Sequence, residues 1–600
     1  MPEKSDKQLN FWQELKRRKV VRVITVYAAA AFVILELVDI VSPPLGLPSW
    51  TLALVIVLLC IGFIISVILS WIYDITPEGV QKTKPSRKNQ KGGKISGSKG
   101  WKIATYLSIV VIIGLLIINL AGRKQKTEKY PELEKSIAVL PFENLSSDEE
   151  HAWFSDGITD VIINQLSKIA NYRVIGRTST LKYKEEKKSI PEIGEELGVN
   201  YIIEGTVQRQ ENELRISVQL VRVFNEDHIW SDLYDREVKD IFNIQTDIAK
   251  HIAEELKTAL TPEEIDNIEK KPTENVQAYN LYLKGRYFWN KRTKDGMKEA
   301  EDYFNAAIDL DGNYALAWAG LADCYLMTVD YLYVTSKDSI IDYKQKAKDA
   351  AIKALEFDPS LSEALATLAY IKLNFEWDWN GALEDFEKAI ELNPHYGTAH
   401  QWYANLLTVL NQHDKAVAEA KLARQIDPLS PIINRNVGRR LYFAHKYEQA
   451  IEASLNALRI KPDFFPSLWT LSLSYLQNKN YSGAIQEMQK AVKYSGDDYF
   501  VKALLGYVYG TAGEQEEAKV ILNELIETSK YKKIPAIAFA VIYIGLGEND
   551  IAMDWLEKAY EERTNHLIYL NSNPIYDPIR SESRFIELVK KMNFPNSGMI

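Results

Sequence analysis

The sequence predicts an α-rich multidomain architecture: transmembrane helices at the front, then a small α/β domain, then an α-solenoid of helix pairs. Three observations predict it. Three apolar runs lie within the first 120 residues, strand-like and helix-like patterns alternate over residues 135–262, and from about residue 275 one motif returns every 34 or 35 residues. A chain of 600 residues exceeds what one core can hold, so several domains are expected. The net charge of −9 argues against a nucleic-acid partner. The two cysteines, Cys60 and Cys324, have neither zinc-site nor CxxC spacing.

Residues 1–19 form a basic arm (ELKRRK) expected on the cytoplasmic side. Residues 20–75 are read as a transmembrane hairpin. Its runs are 20–41 (VVRVITVYAAAAFVILELVDIV) and 51–73 (TLALVIVLLCIGFIISVILSWIY), joined by SPPLGLPSW with Trp50 as an interfacial anchor. The first run carries Arg22, Glu36 and Asp39. Arg22 can snorkel, Asp39 lies near one interface, and Glu36 fits a packing or interfacial role. Residues 76–101 are a basic Gly/Ser/Lys linker. Its GGKISGSKG lacks the GxxxxGK[ST] spacing of a phosphate loop. Residues 102–122 hold the third apolar run, IATYLSIVVIIGLLIINL. The first run is followed by no small-residue cleavage site, so a removed signal peptide is not expected. Positive charge in the arm and linker then gives a multi-pass inner (cytoplasmic) membrane protein with its C-terminal region periplasmic, a bias that Arg123, Lys124, Lys126 and Lys129 weaken without reversing.

Residues 135–262 read as an α/β sandwich. SIAVLPF is a strand ended by Pro141, and Phe154, Ile158, Val161, Ile162 and Leu166 have helical spacing. SIPEIGEELGV is a second helix, with Ser189 as N-cap, Pro191 in the first turn and Gly198 at the end. YIIEGTVQRQ, ELRISVQLVRV and HIWSDLYDRE are β-rich, the first two joined at Glu211 and Asn212, and a helix over 240–260 closes the domain. Between the first strand and helix lie Asp148, Glu149, Glu150, His151, Ser155 and Asp156, a group that invites a catalytic reading. FSDGIT has no GxSxG frame, however, so Ser155 or Asp156 is expected to cap the helix. The motifs SIAVLPFENLS, FSDGITDVI, GVNYIIEGTVQRQENELRISVQLVRV and IWSDLYDRE together resemble the TolB amino-terminal-like domain. FWQELKRRKVVRV, LGLPSW and YDITPEGV resemble the membrane hairpin that often precedes it. The resemblance implies a bacterial protein with a binding or scaffolding domain and no known active site. Such domains occur beside nucleotide cyclase, DNA-binding or tetratricopeptide modules.

Residues 275–565 are read as about eight repeats. Pro359, Pro394, Pro428 and Pro462 each follow a small-residue ladder: Ala347, Ala351, Ala354; Ala382, Phe386, Ala389; Ala416, Ala420, Ala423; Ala450, Ser454, Ala457. Trp318, Leu321, Ala322 and Tyr325 follow W-x2-L-G-x2-Y. Both patterns resemble the tetratricopeptide (TPR) repeat, in which small residues let two antiparallel helices approach and proline ends the second. Residues 566–600 read as a capping segment. Such a stack presents a groove lined by first helices. Arg435 and Arg439, one turn apart, with Gln401 and Asn405 one repeat earlier and Tyr442 beside them, are candidate peptide-binding residues, while Tyr442 and Trp402 each fit core or groove. Arginine and asparagine there suit a peptide carboxylate.

The expected function is a membrane-integral protein–protein interaction scaffold that binds a protein or peptide through this groove and the α/β domain. The alternative is a signal-sensing membrane receptor that passes ligand binding to a separate cytoplasmic partner. No catalytic residues, metal or cofactor are expected. The eight histidines are scattered, there is no HExxH, and no glycine-rich nucleotide fingerprint follows a strand. Partner identity and oligomeric state are not encoded legibly.

Overall fold

The computed structural model describes residues 20–41, isolated positions within 55–66, then 73–76, 79–82, 135–146, 152–330, 337–496 and 498–595. Two compact units divide the chain, Met1–Glu132 and Leu133–Ile600.

In the first unit, helix α1 (Val20–Val41) is followed by a hairpin of β1 (Tyr73–Thr76) and β2 (Gly79–Lys82). The hairpin lies where the transmembrane segment was expected to give way to the linker. Among the described residues no helix is long and apolar enough to cross a membrane. This corrects the transmembrane part of the predicted fold class, and with it the multi-pass inner-membrane localisation and periplasmic placement. The physical reason is visible in α1: Arg22, Glu36 and Asp39 are three ionisable groups within 22 residues, and each is costly in hydrocarbon. The second expected span is described only at scattered positions, and the third, 103–120, lies outside the described residues.

The second unit opens with the α/β domain. Its elements are β3 (Ser136–Val139), β4 (Glu143–Asn144), α2 (Ala152–Ser167), β5 (Arg173–Val174), α3 (Arg177–Leu181), α4 (Ile190–Leu197), β6 (Tyr201–Gln210), β7 (Glu213–Arg222), β8 (Asp227–Glu237), α5 (Ile241–Glu255) and α6 (Pro262–Glu269). The sheet runs β5-β3-β6-β7-β8, with β4 also pairing β6. β3 is parallel to both neighbours, whereas β6, β7 and β8 form an antiparallel meander. Strand alternation builds three layers: Ile137 and Val139 pack with α2 and α5, while Ala138 packs on the other face with Ile193 and Leu197 of α4. In α4 Glu192 accepts from the Ser189 N–H, and Gly198 ends the helix at φ 63°, as its sequence predicts.

The repeats follow as eight helix pairs among the described residues: α7 (Val276–Asn290) with α8 (Lys294–Leu310), α9 (Ala315–Asp330) with α10 (Lys337–Phe357), α11 (Ser362–Ile371) with α12 (Trp379–Leu392), α13 (Gly397–Val409) with α14 (His413–Ile426), α15 (Pro431–Phe443) with α16 (Tyr447–Ile460), α17 (Phe465–Gln477) with α18 (Tyr481–Ser495), α19 (Tyr499–Ala512) with α20 (Gln515–Ser529), and α21 (Ala536–Leu546) with α22 (Asn549–Glu561). The four small-residue ladders are completely buried. At Gly438 a Cβ would lie 2.8 Å from Ser454 Oγ, so glycine permits the close helix approach there.

The tail carries two 3-10 turns, Asn565–Tyr569 and Pro574–Ile579, and helix α23 (Ser583–Lys591). It folds back onto the third repeat: Trp379 Nε1 donates to Met592 O at 3.1 Å and the Trp379 ring lies 5.0 Å from Phe594. Trp377 meets Tyr560 and Arg563 in the same way. The solenoid thus closes on itself.

Candidate functional site

The groove begins with α15. Arg435 and Arg439 do share a face. Arg435 is buried, donates from Nε to Pro466 O at 3.4 Å and sits 5.0 Å from the Trp469 ring. Arg439 lies 5.7 Å from the same ring and 4.7 Å from the Tyr569 ring. Tyr442 is buried against Phe443 and Tyr447. Asn405 accepts from Asn436 Nδ2 at 3.0 Å, and Gln401 is half-buried beside it on α13. Trp402 is nearly buried, 4.6 Å from Tyr370, which places it in the packing between helices.

What faces these residues is the chain's own tail. Tyr569 stacks on Phe443 at 5.0 Å, and His566 stacks on Phe500 at 3.9 Å. Arg440, which sequence reasoning missed, is fully buried and donates from Nη1 to Thr408 Oγ1 at 2.8 Å and Ala404 O at 3.4 Å. Burial alone would raise the Tyr569 phenol, but Arg439, Arg440 and Arg435 outweigh it and hold it below its ordinary value. The same field acts on His566: burial first, then Arg439 and Arg435, push it down to about 3. Three guanidiniums gather here, and burial lowers the pKa of Arg435 and Arg440 from the ordinary arginine value. The signal for Arg440 was its position. An arginine directly after Arg439 points about 100° away on a helix, off the face shared by Arg435 and Arg439.

The repeats, from the first to the turn before the fifth, meet a second internal occupant, the α/β domain. Gly176 N donates to Ile426 O at 2.8 Å, Arg173 Nη1 to Gln425 O at 2.8 Å, and Asn393 Nδ2 to Ser167 Oγ at 3.3 Å. His395 Nε2 contacts Ala170 O at 3.2 Å. At the centre Ser179 Oγ donates to Asp427 and accepts from Leu429 N at 2.8 Å. Burial pushes the Asp427 carboxyl up to about 6, against the opposing hydrogen bonds of Ser179 and Thr178. The expected caps Ser155 and Asp156 instead lie inside α2. Ser155 Oγ donates to Ala152 O, and Asp156 accepts from Lys184 Nζ at 2.7 Å. Asp148 to His151 lie outside the described residues.

Comparison with known proteins agrees on the repeats. Residues 377–434 and 465–498 match the family "Tetratricopeptide repeat", and residues 133–251 match "HilA/YgeH-like transcriptional regulator, second domain". "Putative adenylate cyclase 3" of Rhizobium meliloti (strain 1021) is 32% identical over 264 residues, 44% of each chain. "Small glutamine-rich tetratricopeptide repeat-containing protein 2" of Mycosarcoma maydis is 33% identical over 85 residues, 14% of this chain and 24% of its own. The chain thus spans less than half the length of these relatives. Among solved structures, Pseudomonas aeruginosa pilF is 19% identical with a TM-score of 0.28, covering 36% of this chain and 94% of its own. The C-terminal region carries TPR repeats, a module of protein–protein interaction scaffolds.

Proposed function

We propose that the chain is an interaction scaffold whose TPR groove recognises a peptide in cis. The segment around Asn565–Tyr569 is that peptide. Arg435 and Arg439, with Arg440, hold Tyr569; Tyr442 shapes the floor; and Gln401 and Asn405 extend the polar wall. The observation that carries this reading is Tyr569, stacked on Phe443 and ringed by three arginines. External protein partners would then meet the outer helix faces or the α/β domain, or compete with the segment. Any cyclase association rests on the printed name of one relative.

The test is reconstitution. A chain ending at Thr564 is titrated with a fluorescent peptide of residues 565–579, and anisotropy is followed. Saturable binding that Arg439→Ala weakens at least about tenfold supports recognition in cis. A folded truncated chain that ignores the peptide contradicts it.

A further inference from the structure

Where the α/β domain meets the repeats, the packing leaves a cavity of about 300 Å³ between α2, α3 and the first helices α7, α9, α11 and α13. A second, of about 250 Å³, adjoins it, and both are bordered by Tyr282 and Glu363. This is the small end of the range for ligand cavities, about 300–1,000 Å³, and domain interfaces are where such cavities concentrate.

The lining carries both signs of charge, and two of its groups are unspent. Most charged residues there are already engaged: Arg177 holds Asp160 at 2.9 Å, and Asp323 accepts from Thr367 at 2.6 Å. Arg286 is different. Its nearest carboxylate among the described residues, Asp323 Oδ2, stands at 3.8 Å, beyond hydrogen-bond distance, and the Asp160 charge also acts on it, although the side chain is only 21% exposed. Its guanidinium lies 4.4 Å from the Trp289 ring, which fixes it in place, and the Trp289 indole N–H is itself buried without an acceptor among the described residues. Glu363, in the first turn of α11, borders both cavities, is half-buried, and makes no hydrogen bond or ion pair within contact distance among the described residues; the half-buried Lys168 in the second cavity's lining feels its charge without closing on it. A buried guanidinium with free donors favours a planar carboxylate, and a sheltered carboxylate with free acceptors favours an ammonium. A ligand with only one charge would leave the other pole unsatisfied in a poorly solvated space, which is costly.

We infer that this interdomain cavity binds a small zwitterion, a free α-amino acid or dipeptide, with its carboxylate on Arg286 and its ammonium on Glu363. The inference rests on the docked α/β domain and is independent of the groove reading. Because the ligand touches both the domain and the repeats, it stabilises their docking by mass action.

The test uses the full chain. Thermal unfolding and calorimetric titration are run with the free protein amino acids and L-alanyl-L-alanine. The best binder is then compared with its N-acetyl and C-amide derivatives, which lose one charge each. At least one free form is expected to raise the melting temperature, with both blocked forms bound about tenfold or more weakly. Glu363→Gln and Arg286→Lys are each expected to weaken it by a similar factor. If Arg286→Lys fails to fold, Glu363→Gln and the blocked derivatives decide alone. The inference is overturned if no free form binds at about 10 mM, if the blocked forms bind equally well, or if Glu363→Gln leaves affinity unchanged.

Discussion

Asp427 shows how one residue ties two domains together at an electrostatic cost. Its carboxyl rises from an ordinary 3.8 to about 6 because docking buries it. The folded state therefore binds a proton more readily than the unfolded chain. This group favours folding on the acid side, and that contribution is lost as pH rises through about 6, by an amount on the order of 3 kcal/mol. Asp427→Asn still accepts from Ser179 but carries no charge. It is predicted to lack this decline, so its stability advantage over the natural chain grows between about pH 4 and pH 7. Denaturant unfolding at several pH values checks this, and parallel profiles for the two chains would sink it. The buried histidines pull the other way. His395 is pushed down to about 4, chiefly by burial, and His566 to about 3, so each withdraws stability as pH falls below about 6.5. They are present in both chains and cancel in the comparison. Arg440 gives a second prediction. Thr408 also donates its own hydroxyl to Ala404 O, so replacing Arg440 strands neither group. Arg440→Met keeps most of the packing but gives up the hydrogen bond to Tyr569 and should cost about 1–2 kcal/mol, and Arg440→Ala, which also leaves a cavity, about 3 kcal/mol by equilibrium unfolding.

At the scale of elements, the parts with local causes were legible in the sequence. The alanine ladders and following prolines mark the repeat helices, and Ser189, Glu192 and Gly198 bound α4 by contacts within a few residues. The parts with distant causes were not. Nothing near Asp156 announces that Arg177 of α3 and Lys184 of the 3-10 turn after it arrive there, so the residue reads as a cap although it is an interior ion-pair partner. The spacing of Arg435 and Arg439 gives a shared helix face but not its occupant, which is about 130 residues further on. The run over Val20–Val41 is long enough for a membrane by length alone, yet no helix among the described residues is both long and apolar enough to cross one, and Arg22, Glu36 and Asp39 lower the apolar character of this one. The tail supplies a prediction at this scale. Leu567, Ile568, Leu570, Tyr576, Phe585 and Leu588 are all buried in it. Burial of one such side chain is worth about 1.5–3 kcal/mol. A chain ending at Thr564 should therefore melt well below the full chain and bind a hydrophobic dye. An unchanged melting temperature would show that the tail is a passive appendage.

The second compact unit is held together by contacts far apart in sequence. The tail meets Trp379 across 213 positions, and α3 meets the turn before α15 across about 250. A repeat array that touched only its neighbours would unfold in stages. Closure by the tail and docking of the α/β domain predict that the unit from Leu133 to Ile600 instead loses its repeats cooperatively, so amide exchange in the α13 and α15 helices should share one opening free energy. Staged exchange, repeat by repeat, would count against closure. The most direct measurement of the central claim, that the repeats are occupied by the chain's own domains, is a disulfide across the docking contact. A Cβ at Gly176 would lie 3.2 Å from Asp427 Cβ, within a few tenths of an ångström of the usual disulfide spacing of about 3.5–4.5 Å. Gly176→Cys with Asp427→Cys, in a chain with Cys60→Ser, is predicted to oxidise to near completion under mild conditions and to migrate as a closed loop on a non-reducing gel. Thiols that stay reduced in the folded chain would mean that the α/β domain stands away from the repeats.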